Sequence, residues 1–238
     1  MKPMHGFFVT GTDTGVGKTE TACGLIHALQ DAGWSSVGMK PVAAGARRIN
    51  GRLHNSDVAR LERASPVRAP RRLRNPYVFA PAVAPHIAAS EACVPIDIDL
   101  LADSCRELSM CVDVVVVEGA GGFLVPFGPD VDSGDLAVRI GLPVILVVGM
   151  RLGCLSHALL TAEAVERRGL VLAGWVANRV DARMHRYRQN VEALRMRIAA
   201  PLLADVPYVR ATARRLQTMR ASIDTVELER WLPQRDAS

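Results

Sequence analysis

Phe7-Phe8-Val9-Thr10-Gly11-Thr12-Asp13-Thr14-Gly15-Val16-Gly17-Lys18-Thr19 is the stretch that decides the fold. An apolar run ending in a glycine-rich loop and a Gly-Lys-Thr triplet predicts a buried strand, a phosphate loop and the first turn of a helix. In such a loop successive backbone N–H groups point inward, and the helix that follows presents its positive end, so the two together cradle phosphate. Gly11, Gly15 and Gly17 permit that backbone path. Lys18 is placed to reach the β- and γ-phosphates of a nucleotide, and the Thr19 hydroxyl to ligate Mg²⁺. Five residues separate Gly11 from Gly17, one more than the usual spacing, so the loop is a variant. The plain alternative is a glycine-rich turn carrying an incidental lysine.

Lysine usage weighs against that alternative. Of 29 basic residues only Lys2, Lys18 and Lys40 are lysines. A chain that otherwise uses arginine keeps lysine where a compact, flexible ammonium is needed. Lys40, in Met39-Lys40-Pro41-Val42, closes a predicted strand, which is where open α/β sheets place their ligands.

Outward from the loop, Val- and Ile-rich runs alternate with helical patterns, the mark of βαβ units. Strands are predicted at Gly6 to Thr10, Ser36 to Met39, Asp113 to Val117, Val144 to Val148 and Val171 to Ala177. Helices are predicted at Lys18 to Ala32, with Ala22, Leu25, Ile26 and Leu29 inward, and at His157 to Arg168. The fold class is therefore α/β, a mainly parallel sheet of the P-loop NTPase kind with helices on both faces. The proline-rich stretch Arg68 to Pro85 is expected to be a surface excursion. With 238 residues, 49% of them hydrophobic, one domain over 1–232 is expected, followed by a frayed tail over 233–238.

Composition excludes several classes. No apolar run is long enough to span a bilayer and no secretion signal is visible, so a cytoplasmic protein with no membrane partner is expected. The net charge of +5 comes from scattered arginines without interleaved aromatics, which argues against nucleic acid. Cys23, Cys93, Cys105, Cys111 and Cys154 lack metal-ligand spacing and read as small buried hydrophobes.

Three further places carry chemistry. Val114-Val115-Val116-Val117-Glu118-Gly119-Ala120-Gly121-Gly122 puts a carboxylate at the end of a buried strand, where it can hold Mg²⁺ or its water shell. Gly119 and Gly121 let backbone approach a ligand. Asn55-Ser56-Asp57 reads first as a helix cap. Asn178 ends another strand, where its amide can read a base edge, and Asn178-Arg179-Val180-Asp181 is similar to the guanine-reading motif of GTPases. The base preference stays open at this point.

Assembled in order, Phe8 to Thr19, Lys40-Pro41-Val42-Ala43, Asn55-Ser56-Asp57, Asn75-Pro76-Tyr77, Pro85-His86-Ile87, Val117 to Gly122 and Leu152-Gly153-Cys154 resemble the dethiobiotin synthetase family over most of the chain. The resemblance implies a P-loop α/β fold, a homodimer, and ATP and Mg²⁺ as cofactors. It implies Mg²⁺ among Thr19, Asp57 and Glu118, and phosphate and a substrate carbamate at Lys18 and Lys40, with Thr14 close to the reacting groups. Nucleotide contacts are implied at Asp13, Gly15, Val16, Gly17, Glu118, Gly119, Pro207 and at Asn178 as the adenine reader. Substrate contacts are implied at Lys40, Ala44, Gly121, Gly153, Ser156 and Tyr187. Ala44 stands where a serine is common, Ser156 where an asparagine is, and the loop before Tyr187 is shorter.

The implied substrates are 7,8-diaminononanoate and CO₂ or bicarbonate. A carbamate on one amine attacks the γ-phosphorus of ATP, giving a carbamic–phosphoric anhydride that the second amine closes into a ureido ring. Two alternatives compete. A regulatory ATPase of the chromosome-partitioning or division-site kind has a similar loop, but with lysine where this chain has Asp13. A cobyrinate-type amide synthetase would carry a glutaminase domain for which there is no room.

Overall fold

In the computed structural model, which describes residues 3–233, β1 (Gly6–Gly11) runs through the glycine loop into α1 (Lys18–Asp31). Next come β2 (Ser36–Met39), β3 (Val42–Ala43), an exposed hairpin of β4 (Arg47–Ile49) and β5 (Arg52–His54), and α2 (Ser56–Ala64). After α3 (Arg71–Arg74), β6 (Tyr77–Val78), α4 (Pro85–Glu91) and α5 (Ile98–Ser109), the chain enters the central strand β7 (Val114–Glu118). The second half alternates regularly: α6 (Ser133–Ile140), β8 (Val144–Met150), α7 (Cys154–Arg167), β9 (Leu172–Arg179), α8 (Tyr187–Arg195) and β10 (Leu202–Val206), closing with α9 (Thr212–Ser222) and α10 (Thr225–Glu229).

Six strands form one parallel sheet in the order β10-β9-β8-β1-β7-β2. Their apolar residues are consecutive because alternate side chains enter different cores. Phe8, Val115, Val117, Leu146 and Trp175 face α5 to α8, burying Leu101, Leu108, Leu136, Val165 and Leu194. Phe7, Val9, Val114, Val116, Ile145 and Val147 face the other way, onto Leu25, Ile26 and Leu29 of α1, Leu61 of α2 and Met219 of α9. The mainly parallel sheet read from the sequence is thus the observed one, with helices on both faces.

Three expectations need correction. The stretch 68–85 is not simply a surface excursion: Leu73 and Phe79 are buried in the core, and β6 pairs in parallel with β3. Its prolines interrupt regular structure without preventing the apolar residues between them from packing. The helix after β8 starts at Cys154, three residues before the predicted start. Cys93 and Cys111 are exposed, whereas Cys23, Cys105 and Cys154 are buried. The tail over 234–238 lies outside the described residues.

Candidate active site

Strand order dictates which side chains meet. Adjacent strands lie about 4.8 Å apart, so the residues capping β2, β7 and β1 converge along one edge of the sheet. Those residues are Lys40, Glu118 and the phosphate loop. Asn178 near the end of β9 and Pro207 after β10 lie on the opposite side of the loop.

Gly17 is the N-cap of α1, with φ of 99° and no side-chain cap, so the first N–H groups of the helix stay available to an anion. That φ favours glycine, and a Cβ at Gly17 would lie 2.2 Å from Asn178 Nδ2, so any side chain there would also have to displace that amide. The Asn178 amide donates to Val16 O at 2.8 Å, tying β9 to the loop. Lys18 bends back, and its Nζ donates to Asp13 O at 2.8 Å. Burial, reinforced by the nearby Lys40 charge, pushes the Lys18 ammonium down to about 8. A phosphate brought beside this ammonium favours its charged form and raises the value again.

Glu118, 1% exposed, is the hub. Its Oε1 accepts from Thr19 Oγ1 at 2.7 Å and from Lys40 Nζ at 2.6 Å. Lys40 Nζ also donates to Gly119 O at 3.0 Å and stands 3.7 Å from Asp57 Oδ2. The second carboxylate oxygen, Glu118 Oε2, is buried and has no hydrogen-bond partner among the described residues. An orphan acceptor of that kind costs about 1–3 kcal/mol, and beside Thr19 and Lys40 it leaves a carboxylate oxygen free for a ligand. Helix α2 is capped by Asn55, whose Oδ1 accepts from the backbone N–H of Asp57 and Val58 at 2.9 and 3.3 Å. The Asn55 Nδ2 donates to Ala44 O at 3.0 Å. Capping is thus done by Asn55, which leaves the Asp57 carboxylate turned to Lys40.

Three cavities share this rim. The phosphate cavity is lined by Lys18, Thr19, Glu118, Asp57 and Lys40. On one side lies a cavity between Asn178, Val206, Pro207, Tyr208 and Val209, which we refer to as the base cavity. On the other lies a cavity bounded by Thr14, Lys40, Ala44, Asp57 and Gly121. Thr14, Lys40, Asp57 and Gly121 line both the phosphate cavity and this last one, so they stand at the boundary between the two.

Residues 5–215 match the AAA domain family. The ATP-dependent dethiobiotin synthetase BioD of Aromatoleum aromaticum is 54% identical over 209 residues, 88% of this chain and 93% of that one. Its namesake from Nitrosospira multiformis is 52% identical over 203 residues, 85% and 88% of the two chains. The chain belongs to the dethiobiotin synthetase family. Among solved structures, the cell division ATPase MinD of Pyrococcus furiosus has a TM-score of 0.52 at 17% identity, covering 91% of this chain and 89% of that one. That likeness is one of fold alone.

Within this family member, residue detail separates the readings left open by the sequence. The Asp181 carboxylate accepts from Arg183 N at 2.8 Å and does not line the base cavity, unlike Asn178, Arg179 and Val180. The resemblance to a guanine-reading motif therefore lacks its acidic reader. Asp13, where the partitioning ATPases carry lysine, pairs with Arg151 just after β8.

Gly153, Ser156 and Tyr187 stand apart from the Lys40 cavity. Gly153 is the left-handed N-cap of α7, and Ser156 lies exposed on its first turn. Tyr187 donates its hydroxyl to Asp205 and lies under the Arg179 guanidinium, 5.0 Å from ring centroid to Cζ. Burial, and then the Asp205 carboxylate, raise the Tyr187 phenol above its ordinary value. Sequence reading missed Glu20, Arg60 and Arg215, which also line the phosphate cavity. Arg60 and Arg215 had no signal, since each is one arginine among many on a polar helix face. Glu20, directly after the Gly-Lys-Thr triplet, could have been suspected.

Proposed function

We propose that the chain, as one synthetase domain over residues 1–232, closes the ureido ring of dethiobiotin. Its substrates are 7,8-diaminononanoate, CO₂ or bicarbonate, and ATP, with Mg²⁺ as the metal, and it works as a homodimer in the cytoplasm. The observation that carries this reading is the meeting of Lys18, Lys40, Thr19, Asp57 and Glu118 at one rim between the Asn178 cavity and the Ala44 cavity. Family membership supports the choice of substrates, and the geometry supports the division of labour proposed below.

Thr19, Asp57 and Glu118 would hold the metal. They offer oxygen donors only, one of them the orphan Glu118 Oε2, and this suits a hard divalent cation. No group of three or more His, Cys, Asp or Glu side chains is placed to hold a metal ion by itself among the described residues. That favours an ion which keeps waters and phosphate oxygens in its shell over one held in an all-protein cage. When bound, the ion would neutralise and orient phosphate oxygens.

Lys18 and the N–H groups of the α1 turn bind the β- and γ-phosphates, while Asn178 and Pro207 border the base. Lys40 faces the acceptor cavity, where its ammonium holds the carbamate and the transferring phosphoryl oxygens as negative charge develops. Phosphoryl transfer of this kind needs positioning and cations, with no protein nucleophile. The distal carboxylate of the substrate would be held by the open first turn of α7 around Gly153 and Ser156. Tyr187, which lies outside the Lys40 cavity, would complete that grip across the dimer.

The test is to incubate the protein with diaminononanoate, bicarbonate, Mg²⁺ and ATP and to weigh the products by mass spectrometry. One equivalent of dethiobiotin per ADP is expected. ATP hydrolysis with the diamine left intact contradicts the proposal.

A further inference from the structure

We infer that Arg215 is a ligand of the nucleotide's α- and β-phosphates, a guanidinium that α9 holds over the seam between the base and phosphate cavities. The inference rests on the ATP site proposed above and adds to it a cation from outside the phosphate-loop motif.

Placement is the first observation. Arg215 lines both the base cavity and the phosphate cavity, and it does not line the acceptor cavity. A side chain so placed can reach the phosphates between base and loop, short of the transferred γ-phosphoryl group. Helix α9 is fixed where this matters. Met219, 1% exposed, takes the Thr21 hydroxyl on its sulfur at 3.7 Å. A Cβ on Gly24 would lie only 2.8 Å from Met219 Cγ, so the two helices touch closely. Arg220 pairs with Asp31 at the far end of α1. Arg215 lies four residues before Met219 and therefore on the same helix face, one turn nearer the phosphate loop.

Charge is the second observation. The phosphate cavity is lined by the cations Lys18, Lys40, Arg60 and Arg215 and by the carboxylates Glu20, Asp57 and Glu118. Arg60 is engaged by Glu20 at 3.0 Å, and Lys40 by Glu118 and Asp57 at 2.6 and 3.7 Å. Lys18 and Arg215 are the two cations without a carboxylate partner there. Arg215 Nε donates to Val209 O at 2.9 Å. Its two terminal nitrogens have no protein partner among the described residues. The tether through Nε fixes the fork and leaves its terminal edge, with two parallel N–H groups, for phosphate. Val209 itself lines the base cavity, so a seated base and a seated guanidinium share one support.

Calorimetric titration of the full-length protein with ADP, AMP and adenosine tests this, using wild type, Arg215→Gln and Arg215→Lys. Glutamine keeps a donor for Val209 O and loses the charge. ADP binding is expected to weaken about 10- to 50-fold in Arg215→Gln, AMP by less, and adenosine by less than about twofold, with a shallower salt dependence for ADP. The lysine variant, with charge but no fork, should fall between wild type and glutamine. Equal weakening of ADP and adenosine would make Arg215 a structural support only and overturn the inference, as would unchanged ADP affinity. If glutamine impairs folding, a lysine variant with wild-type ADP affinity overturns it as well. A wild type that binds none of the three ligands would instead overturn the ATP site on which the inference rests.

Discussion

Lys18 and Lys40 are 7% and 5% exposed and each is bonded to a backbone carbonyl, Asp13 O and Gly119 O. A planar fork in place of either would keep the charge but could not place a compact ammonium at the same point. Lys18→Arg and Lys40→Arg are each expected to lower kcat at least about 100-fold, the scale of losing one transition-state cation, with melting temperatures close to wild type. Wild-type turnover in either would remove the reason given for lysine there. Lys18 also sets a pH dependence. Its proton is disfavoured in the nucleotide-free fold, at about 8 against an ordinary 10.5, and phosphate favours the protonated form. Binding of metal-free ADP should therefore take up a proton above pH 8, and affinity should fall as pH climbs through that value. Calorimetry in buffers of different ionisation enthalpy reads the uptake directly. These two lysines were legible in the sequence because the chain otherwise avoids lysine. Arg215 and Arg60 were not, because only the folded chain distinguishes one arginine from the many on its surface.

The first turns of α1 and α2 carry the site, and each is set by one residue. Gly17→Ala forces a left-handed residue with a side chain into the Asn178 amide. Loss of nucleotide binding is expected, with about 1–3 kcal/mol of destabilisation seen in denaturant titration. Asn55→Ala removes the cap of α2 and the clasp on Ala44. About 1 kcal/mol of stability is expected to go, and kcat should fall as Asp57 loses its place, whereas Asn55→Asp should restore stability more than activity. Strong patterns made β1, β2, β7, β8 and β9 and the two longest helices readable. Strand β10, Leu202–Val206, was not read, since Asp205 interrupts its apolar run. Helix α5 was not read either, although Asp97 caps it and its Leu101, Cys105 and Leu108 repeat at helical spacing. The motif Asn55-Ser56-Asp57 was legible as a cap, but the turn of Asp57 toward Lys40 is a tertiary fact.

At the scale of the whole molecule, the strand order brings the ends of β2, β7 and β1 together on one edge while β9 and β10 border the base. Two closed cores hold that edge rigid, one on each face of the sheet. Cysteine chemistry probes their closure. Burial raises the Cys23 and Cys105 thiols to about 12 and pushes Cys154 up as well, whereas Cys93 and Cys111 are exposed. A thiol reagent at pH 8 should count two fast groups in the native protein and five in denaturant; fast reaction of all five would mean the cores are open. No described helix is long and apolar enough to cross a membrane. The most direct measurement is a crystal structure with Mg²⁺, a non-hydrolysable ATP analogue and 7,8-diaminononanoate. The terminal phosphate is expected within hydrogen-bonding reach of both Lys18 and Lys40, with the diamine against Thr14 and Gly121. A terminal phosphate and a diamine seated on separate surfaces would contradict the mechanism.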